Sequence, residues 1–170
     1  MQLPWRTIGG IPTSLTSGET AKLRELAKDA LVLEIGSAYG HSAINMAQAG
    51  AELVVAIDPH MGENPDSLER MVVNVAVHGL QDHITIWCAT SQSALPLLES
   101  GMFDLVFVDG DHSEHAVAID IREAWRLLKP GGTLAAHDYG EDSCPDVAAA
   151  LNAWRQPDEI TDTLWIARKP

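Results

Sequence analysis

Three groups of residues carry the chemistry of this chain. The first is Glu34-Ile35-Gly36-Ser37-Ala38-Tyr39-Gly40, a glycine turn beside an acid. The second is Asp58, which closes the apolar run Val54-Val55-Ala56-Ile57. Glycine has no Cβ, so a turn built on it lets backbone approach a ligand closely. An acid at the end of the next strand is placed to receive ribose hydroxyls, so the two together read as a nucleoside grip. The third group is Asp109-Gly110-Asp111-His112-Ser113-Glu114-His115 with the later pair His137-Asp138. Carboxylate oxygens suit Mg²⁺, Ca²⁺ or Mn²⁺, and added imidazole leans toward transition metals. Within that run, Asp111 or Ser113 is equally able to cap the following helix, and Glu114 to complement its dipole.

The glycine turn departs from the dinucleotide pattern G-x-G-x-x-G, because Glu34 occupies the first glycine position. No Lys-Ser/Thr pair follows, which excludes a phosphate-cradling Walker loop. A carboxylate beside the turn repels a pyrophosphate and favours a cationic ligand. S-adenosylmethionine has an ammonium, a sulfonium and a ribose, and no phosphate.

These residues need elements to position them. Thr16-Ser17-Gly18-Glu19 has the form of a capping box, which starts a helix with Leu23, Leu26, Ala27 and Ala30 on one face. Strands are expected at Leu31 to Ile35, Leu53 to Asp58, Ile84 to Cys88, Phe103 to Asp109 and Thr133 to Ala136, with a last one at Thr163 to Arg168. Between them lie helices. One, His41 to Ala49, buries Ile44 and Ala47, and another buries Leu68, Met71, Val72 and Val75. A third runs through Leu95, Leu97 and Leu98. A fourth presents Val117, Ile121, Ala124 and Leu128 and is broken by Lys129-Pro130-Gly131-Gly132, and a last one buries Val147, Leu151 and Trp154.

Continuous apolar strands alternating with helices imply a parallel sheet covered on both faces. The expected fold is α/β, a Rossmann-like doubly wound, mostly parallel sheet with an antiparallel C-terminal strand. Ligands in such sheets bind beyond the carboxyl ends of the strands. The expected organisation is an irregular arm over residues 1–15 and a single domain over 16–170. Trp5, Ile8 and Ile11 either cover the site or pack on the sheet.

The bulk numbers narrow the function. The 170 residues include 11 basic and 24 acidic ones, a net charge of -13. A grip on a phosphate backbone needs clustered Lys and Arg, so nucleic acid and anionic membrane surfaces are not expected partners. Cys88, expected in a buried strand, and Cys144 form no ligand-spaced motif. The first residues show no basic region followed by an apolar core, and no apolar run has the length of a membrane span. The expected location is the cytoplasm.

Asp-Gly-Asp-His-Ser, a helix, Leu-Lys-Pro-Gly-Gly and then His-Asp-Tyr resemble the methyltransferase 24 group of class I S-adenosylmethionine-dependent methyltransferases. That group is similar to cation-dependent catechol-type and macrolide sugar O-methyltransferases. The resemblance covers about residues 12 to 168. It implies a turn of Glu34, Gly36 and Gly40 around the methionine part of the cofactor, with Ser37 and Ser42 adding contacts. It implies that Asp58 holds the ribose and that Thr90, Ser91 and Gln92 frame the adenine. Asp109 is then both a ligand-binding residue and the first metal ligand, Asp138 a second, and His112 the general base. Two departures stand out: Tyr139 replaces the Asn of catechol-type enzymes, and His137 replaces the Glu of macrolide-type ones. His137 is nonetheless a candidate ligand, and Mg²⁺ or another divalent cation is a second expected group.

The implied reaction is O-methylation of a small hydroxylated molecule such as a sugar, polyketide or catechol. A second subunit is one way to close so short a chain's pocket. The alternatives are an NAD-dependent oxidoreductase and a non-catalytic cofactor- or partner-binding domain of the same fold.

Overall fold

The computed structural model describes residues 6–61 and 65–170. Trp5 and the rest of residues 1–5 lie outside the described residues. The chain opens with a hairpin of β1 (Arg6–Ile8) and β2 (Ile11–Thr13) where an irregular arm was expected. Gly9 and Gly10 make its two-residue turn, both with positive φ, as such hairpins require. Ile11 and Leu15 then join the core.

Helix α1 (Ser17–Ala27) begins at the expected capping box: the Thr16 hydroxyl accepts from Glu19 N–H, and Glu19 reaches back to Thr16 N–H. Alternation follows, with β3 (Leu31–Ile35), α2 (His41–Gln48), β4 (Leu53–Asp58), α3 (Ser67–Val77) and β5 (Ile84–Cys88). Next come α4 (Ser91–Ala94), a 3-10 turn over Leu95–Leu97, β6 (Phe103–Val108), α5 (Glu114–Leu127) and β7 (Leu128–Ala136). Helix α6 (Pro145–Trp154) and strands β8 (Glu159–Thr161) and β9 (Leu164–Arg168) complete the chain.

The seven-stranded sheet has the order β5-β4-β3-β6-β7-β9-β8. Strands β3 to β7 are parallel, and β9 runs antiparallel to both β7 and β8. Side chains alternate between its faces. Val32, Val54, Ala56, Leu105 and Phe107 share one core with Leu23, Ile44 and Met71. Leu33, Ile35, Val106, Val108 and Leu134 share the other with Val117, Ile121 and Leu151.

Register positions the chemistry. Ile35 pairs with Ile57 on one side and Val108 on the other, and Val108 pairs with Ala136. Gly36, Asp58, Asp109 and His137 are therefore level at four adjacent strand ends, Asp58 as the last residue of β4 and the others one residue beyond β3, β6 and β7. The order reverses at β3, so the crevice opens between β3 and β6.

Several local expectations give way to packing. Val72 is 50% exposed and Leu97 73% exposed, because the only apolar residues α3 buries are Met71 and Val75 and the segment after β5 is too short for a full helix. Helix α5 ends at Leu127, so Leu128 opens β7 rather than lying on the helix face. The Lys129–Gly132 stretch bulges within β7, where pairing jumps from Phe103–Leu128 to Leu105–Thr133. Cys88 is exposed at the edge of the sheet. Trp154 is partly exposed and packs edge-on against Trp125, with ring centroids 4.9 Å apart.

Candidate functional site

The end of β3 is welded to its neighbours by backbone. Gly36 N–H donates to Ile57 C=O at 2.8 Å, and Asp109 N–H donates to Ile35 C=O at 2.8 Å. Gly36 has φ +88°, and a Cβ here would overlap the Asp109 carbonyl. Only glycine lets β3 and β6 close up at this point. The turn is then held open by Asp58, whose Oδ2 accepts from Ser37 N–H at 2.9 Å and Ala38 N–H at 2.8 Å. Asp58 Oδ1 accepts from His60 N–H at 2.6 Å. His60 is buried and bonded to Ser67 through Nδ1 at 3.0 Å, and burial lowers its pKa against the pull of Asp58.

Two cavities meet over this turn. One, of about 420 Å³, is lined by residues including Ser37, Ser42, His112, Asp138 and Cys144, with Pro12 to Leu15 of the N-terminal segment forming one wall. The other, of about 260 Å³, is lined by residues including Thr90, Ser91, Gln92, Asp111 and Asp120. Gly36, Asp58, Asp109 and Gly110 border both, so the two form one trough. Gly40 lines neither and serves as the N-cap of α2.

Glu34 also lines neither cavity. It is wholly buried behind the turn, on the face of β3 that carries Val32, and neither oxygen has a well-formed hydrogen bond among the described residues. Burial pushes its carboxyl up to about 8; the Ser42 hydroxyl opposes this, and the charges of Asp109 and Asp58 add to it. It is therefore mostly protonated at pH 7. The expected attraction of an exposed Glu34 charge for a cationic ligand does not apply.

Asp109 and Asp138 line the larger cavity and His137 is buried behind them, outside both linings; the three each bring a ligand atom within 4.8 Å of the others. His137 Nδ1 lies 3.3 Å from Asp109 Oδ1 and 3.2 Å from Asp138 Oδ1. His112 Nε2 sits 2.9 Å from Asp138 Oδ2 and 4.0 Å from Asp109 Oδ1. His112, Asp138 and Cys144 form a second such group, overlapping the first at Asp138. Asp138 has φ +61°, a left-handed conformation that costs a non-glycine residue energy and concentrates at functional sites.

The electrostatics follow from this crowding. Burial works to raise Asp109, but His137 and His112 beside it hold its carboxyl well below the usual range. Asp138 is lowered in the same way, against burial, by His112 and His137. The two carboxylates raise His112 to about 10, with the shorter contact coming from Asp138. Burial acts to lower His137, and Asp109, Asp138 and Glu19 raise it well above the usual range.

Two acids of this region escaped the sequence reading. Glu19 was read only as a helix cap, yet its carboxylate also meets His137 Nε2 at 3.2 Å. Asp120 lies on the buried face of α5 between Val117 and Ala124 and lines the smaller cavity. Its Oδ1 has no hydrogen-bond partner among the described residues, and burial lifts its carboxyl to about 6. An acid on the apolar stripe of α5 was the available signal. The other polar residues of the Asp109 loop are surface groups: Asp111 Oδ1 accepts from Ser113 N–H at 2.8 Å, and Glu114 and His115 are exposed.

Comparison with known proteins agrees with this arrangement. A family profile described as a methyltransferase domain matches residues 33–139. Catechol O-methyltransferase of Mus musculus is 31% identical over 138 residues, 76% of this chain and 49% of its own length. Catechol O-methyltransferase of Mycobacterium tuberculosis is 34% identical over 119 residues, 63% of this chain and 52% of its own. The chain thus spans about half the length of these curated relatives. Among solved structures, cofactor-bound Rv0187 from MTB superposes with a TM-score of 0.67 at 27% identity, covering 82% of this chain and 67% of that one. A Corynebacterium glutamicum protein gives a TM-score of 0.75 over 94% of this chain and 83% of its own, at 16% identity, which speaks for the fold alone. The profile match runs from the first core strand through His137 and Asp138 to Tyr139, and on it the chain belongs to the methyltransferase domain family.

Proposed function

We propose that this chain is an S-adenosylmethionine-dependent O-methyltransferase acting on a small hydroxylated molecule, with a divalent cation at Asp109, His137 and Asp138. The carrying observation is the single trough that joins the Gly36 turn and Asp58 to that cluster. The catechol O-methyltransferase relatives support an oxygen acceptor. The acceptor hydroxyl is that of a sugar, polyketide or catechol.

The residues fit both groups. Gly36 and Asp58 border both cavities, and Asp120, which lines the smaller one, has an unpartnered Oδ1. The cluster offers two carboxylates and an imidazole, with His137 Nδ1 and Asp138 Oδ1 buried and not hydrogen-bonded. When bound, S-adenosylmethionine supplies an electrophilic methyl group, and a divalent cation lowers the pKa of a nearby hydroxyl.

The protein's own part is alignment and proton handling. Asp58 has about one acceptor site left, on Oδ1, for a ribose hydroxyl after its three backbone contacts. Thr90, Ser91 and Gln92 frame the base, and Ser37 and Ser42 face the methionine end. Holding the acceptor oxygen in line with the methyl carbon supplies much of the barrier reduction. His112 is the candidate base: without a cation its Nε2 is held protonated against Asp138 at 2.9 Å, and with Asp109 and Asp138 engaged by a cation that pairing would weaken and free the imidazole to take the acceptor's proton.

The test is transfer of radiolabelled methyl from S-adenosylmethionine to a panel of catechols, hydroxylated sugars and polyketides, with Mg²⁺ or Mn²⁺ and with EDTA. Cation-dependent labelling of a hydroxyl supports the reading. Failure to label any acceptor, together with failure to bind S-adenosylhomocysteine, contradicts it.

A further inference from the structure

Glu19 stands on α1, remote in sequence from the strand ends, and is wholly buried. Its Oε1 accepts from Thr163 N–H at 2.8 Å and from the Thr163 hydroxyl at 2.6 Å. Its Oε2 accepts from Thr16 N–H at 2.8 Å and lies 3.2 Å from His137 Nε2. A carboxylate offers about four acceptor sites. Those of Glu19 are filled, and three segments are tied to it: the start of α1, the turn before β9 and the end of β7.

An ionised carboxylate only accepts, so the His137 nitrogen that faces it carries a hydrogen. That leaves Nδ1, on the other edge of the ring, as the nitrogen whose proton a cation would displace. Nδ1 is 3.2 Å from Asp138 Oδ1, yet the two atoms are buried and make no hydrogen bond with each other or with anything else described. They lie side by side without the alignment that an N–H donor needs. Two unsatisfied buried polar atoms are costly if nothing joins them. The same convergence, with Asp109 Oδ1 3.3 Å from Nδ1, suits ligands that share a cation.

We propose that Glu19 is a positioning residue that fixes His137 in its Nε2–H tautomer and presents Nδ1 as the nitrogen ligand of a centre completed by Asp109 and Asp138. This rests on the cation site described under Proposed function and deepens it. A carboxylate behind a ligating imidazole sets ring orientation and raises ligand basicity. A donor set of one imidazole and two carboxylates also changes the ion preferred. Mg²⁺ favours oxygen and keeps its waters, whereas imidazole suits later first-row ions such as Zn²⁺; Mn²⁺, the weakest of that series, still accepts a nitrogen ligand more readily than Mg²⁺. The centre therefore prefers a transition-metal ion over Mg²⁺.

The experiment is Mn²⁺ and Mg²⁺ titration of the whole chain, with Mn²⁺ followed by electron paramagnetic resonance and Mg²⁺ by competition. Calorimetry with S-adenosylhomocysteine in EDTA runs alongside. The wild type is expected to bind Mn²⁺ at least about ten-fold more tightly than Mg²⁺. Glu19→Gln keeps the volume but must turn an NH₂ toward His137 or Thr163. It is expected to weaken Mn²⁺ binding by about 10–100-fold while S-adenosylhomocysteine still binds. Should Glu19→Gln fail to fold, nitrogen NMR of wild-type His137 with saturating Zn²⁺ decides. The expected spectrum shows a proton on Nε2 and none on Nδ1.

Unchanged Mn²⁺ affinity in folded Glu19→Gln, tighter binding of Mg²⁺ than Mn²⁺, a protonated Nδ1 at saturating Zn²⁺, or no binding of either transition metal overturns the inference. If S-adenosylhomocysteine still binds the wild type, the cofactor reading survives those results. If it does not bind, that reading fails by itself.

Discussion

His112 Nε2 and Asp138 Oδ2 are 2.9 Å apart, joining the loop after β6 to the residue that follows His137 at the end of β7. Asp138 is nearly buried while His112 is half-exposed, so the pair sits at the mouth of the larger cavity with its charged partner inside. The contact decides when His112 is free to accept a proton.

In metal-free protein the carboxylates hold His112 up to about 10. Replacing Asp138 by Asn removes the closer charge. NMR titration of His112 without divalent ions is expected to show its pKa fall by more than about one unit in Asp138→Asn. An unchanged value means that the pairing does not control this imidazole.

His112→Gln keeps a polar group of similar size but no base. Turnover of a methyl acceptor is expected to fall by about 10²–10⁴-fold, with S-adenosylhomocysteine affinity within about two-fold of wild type. Steady-state kinetics with parallel calorimetry separates the two effects. Equal loss of binding and turnover points to a structural role.

Glu34 carries a sign that pH reveals. Its folded pKa of about 8 stands above the ordinary glutamate value of about 4.3. The folded state binds this proton more tightly than the unfolded one, so its contribution favours folding at low pH and is lost as pH rises toward 8. Glu34→Gln is expected to be more stable than wild type at pH 8 by about 1–3 kcal/mol, and the difference to shrink by pH 5. Urea unfolding at both values checks this, and a pH-independent difference contradicts it.

Gly36→Ala and Gly50→Ala make a matched pair. Both residues have positive φ, but a Cβ at Gly50 meets open space while one at Gly36 meets the Asp109 backbone. Gly50→Ala is expected to cost about 1–2 kcal/mol from backbone strain alone. Gly36→Ala adds the overlap and is expected to exceed that loss and to abolish cofactor binding. Thermal unfolding and calorimetry compare them directly.

The parallel strands were legible because such strands are mostly apolar runs, here closed by glycine or acid at β3, β4 and β6 and by a polar turn at β5 and β7. Leu31–Ile35, Leu53–Asp58 and Ile84–Cys88 fall where those runs predict. Strand β8 escaped because Glu159-Ile160-Thr161 is a short, exposed edge with no apolar run. The β1–β2 hairpin escaped although Gly9-Gly10 between two isoleucines was its signal. Listing the strand ends together did gather Asp58, Asp109, His112, His137 and Asp138, since level register puts them on one rim. Local spacing is blind to contacts made across the fold. It therefore gave Glu19 a helix-capping role and no hint of His137, and it left Asp120 unmarked on an apolar stripe. Glu34 shows the converse, because its type invited a ligand contact while its position on β3 turns it into the core.

Calorimetric titration with S-adenosylhomocysteine decides whether the trough over Gly36 and Asp58 binds S-adenosylmethionine. Wild-type protein is expected to bind one equivalent in the micromolar range, about -8 kcal/mol. Asp58→Ala removes the acceptor of three backbone N–H groups and the ribose contact, and is expected to weaken binding at least about ten-fold. Absence of detectable heat with wild-type protein, both in EDTA and with Mn²⁺, would contradict the account.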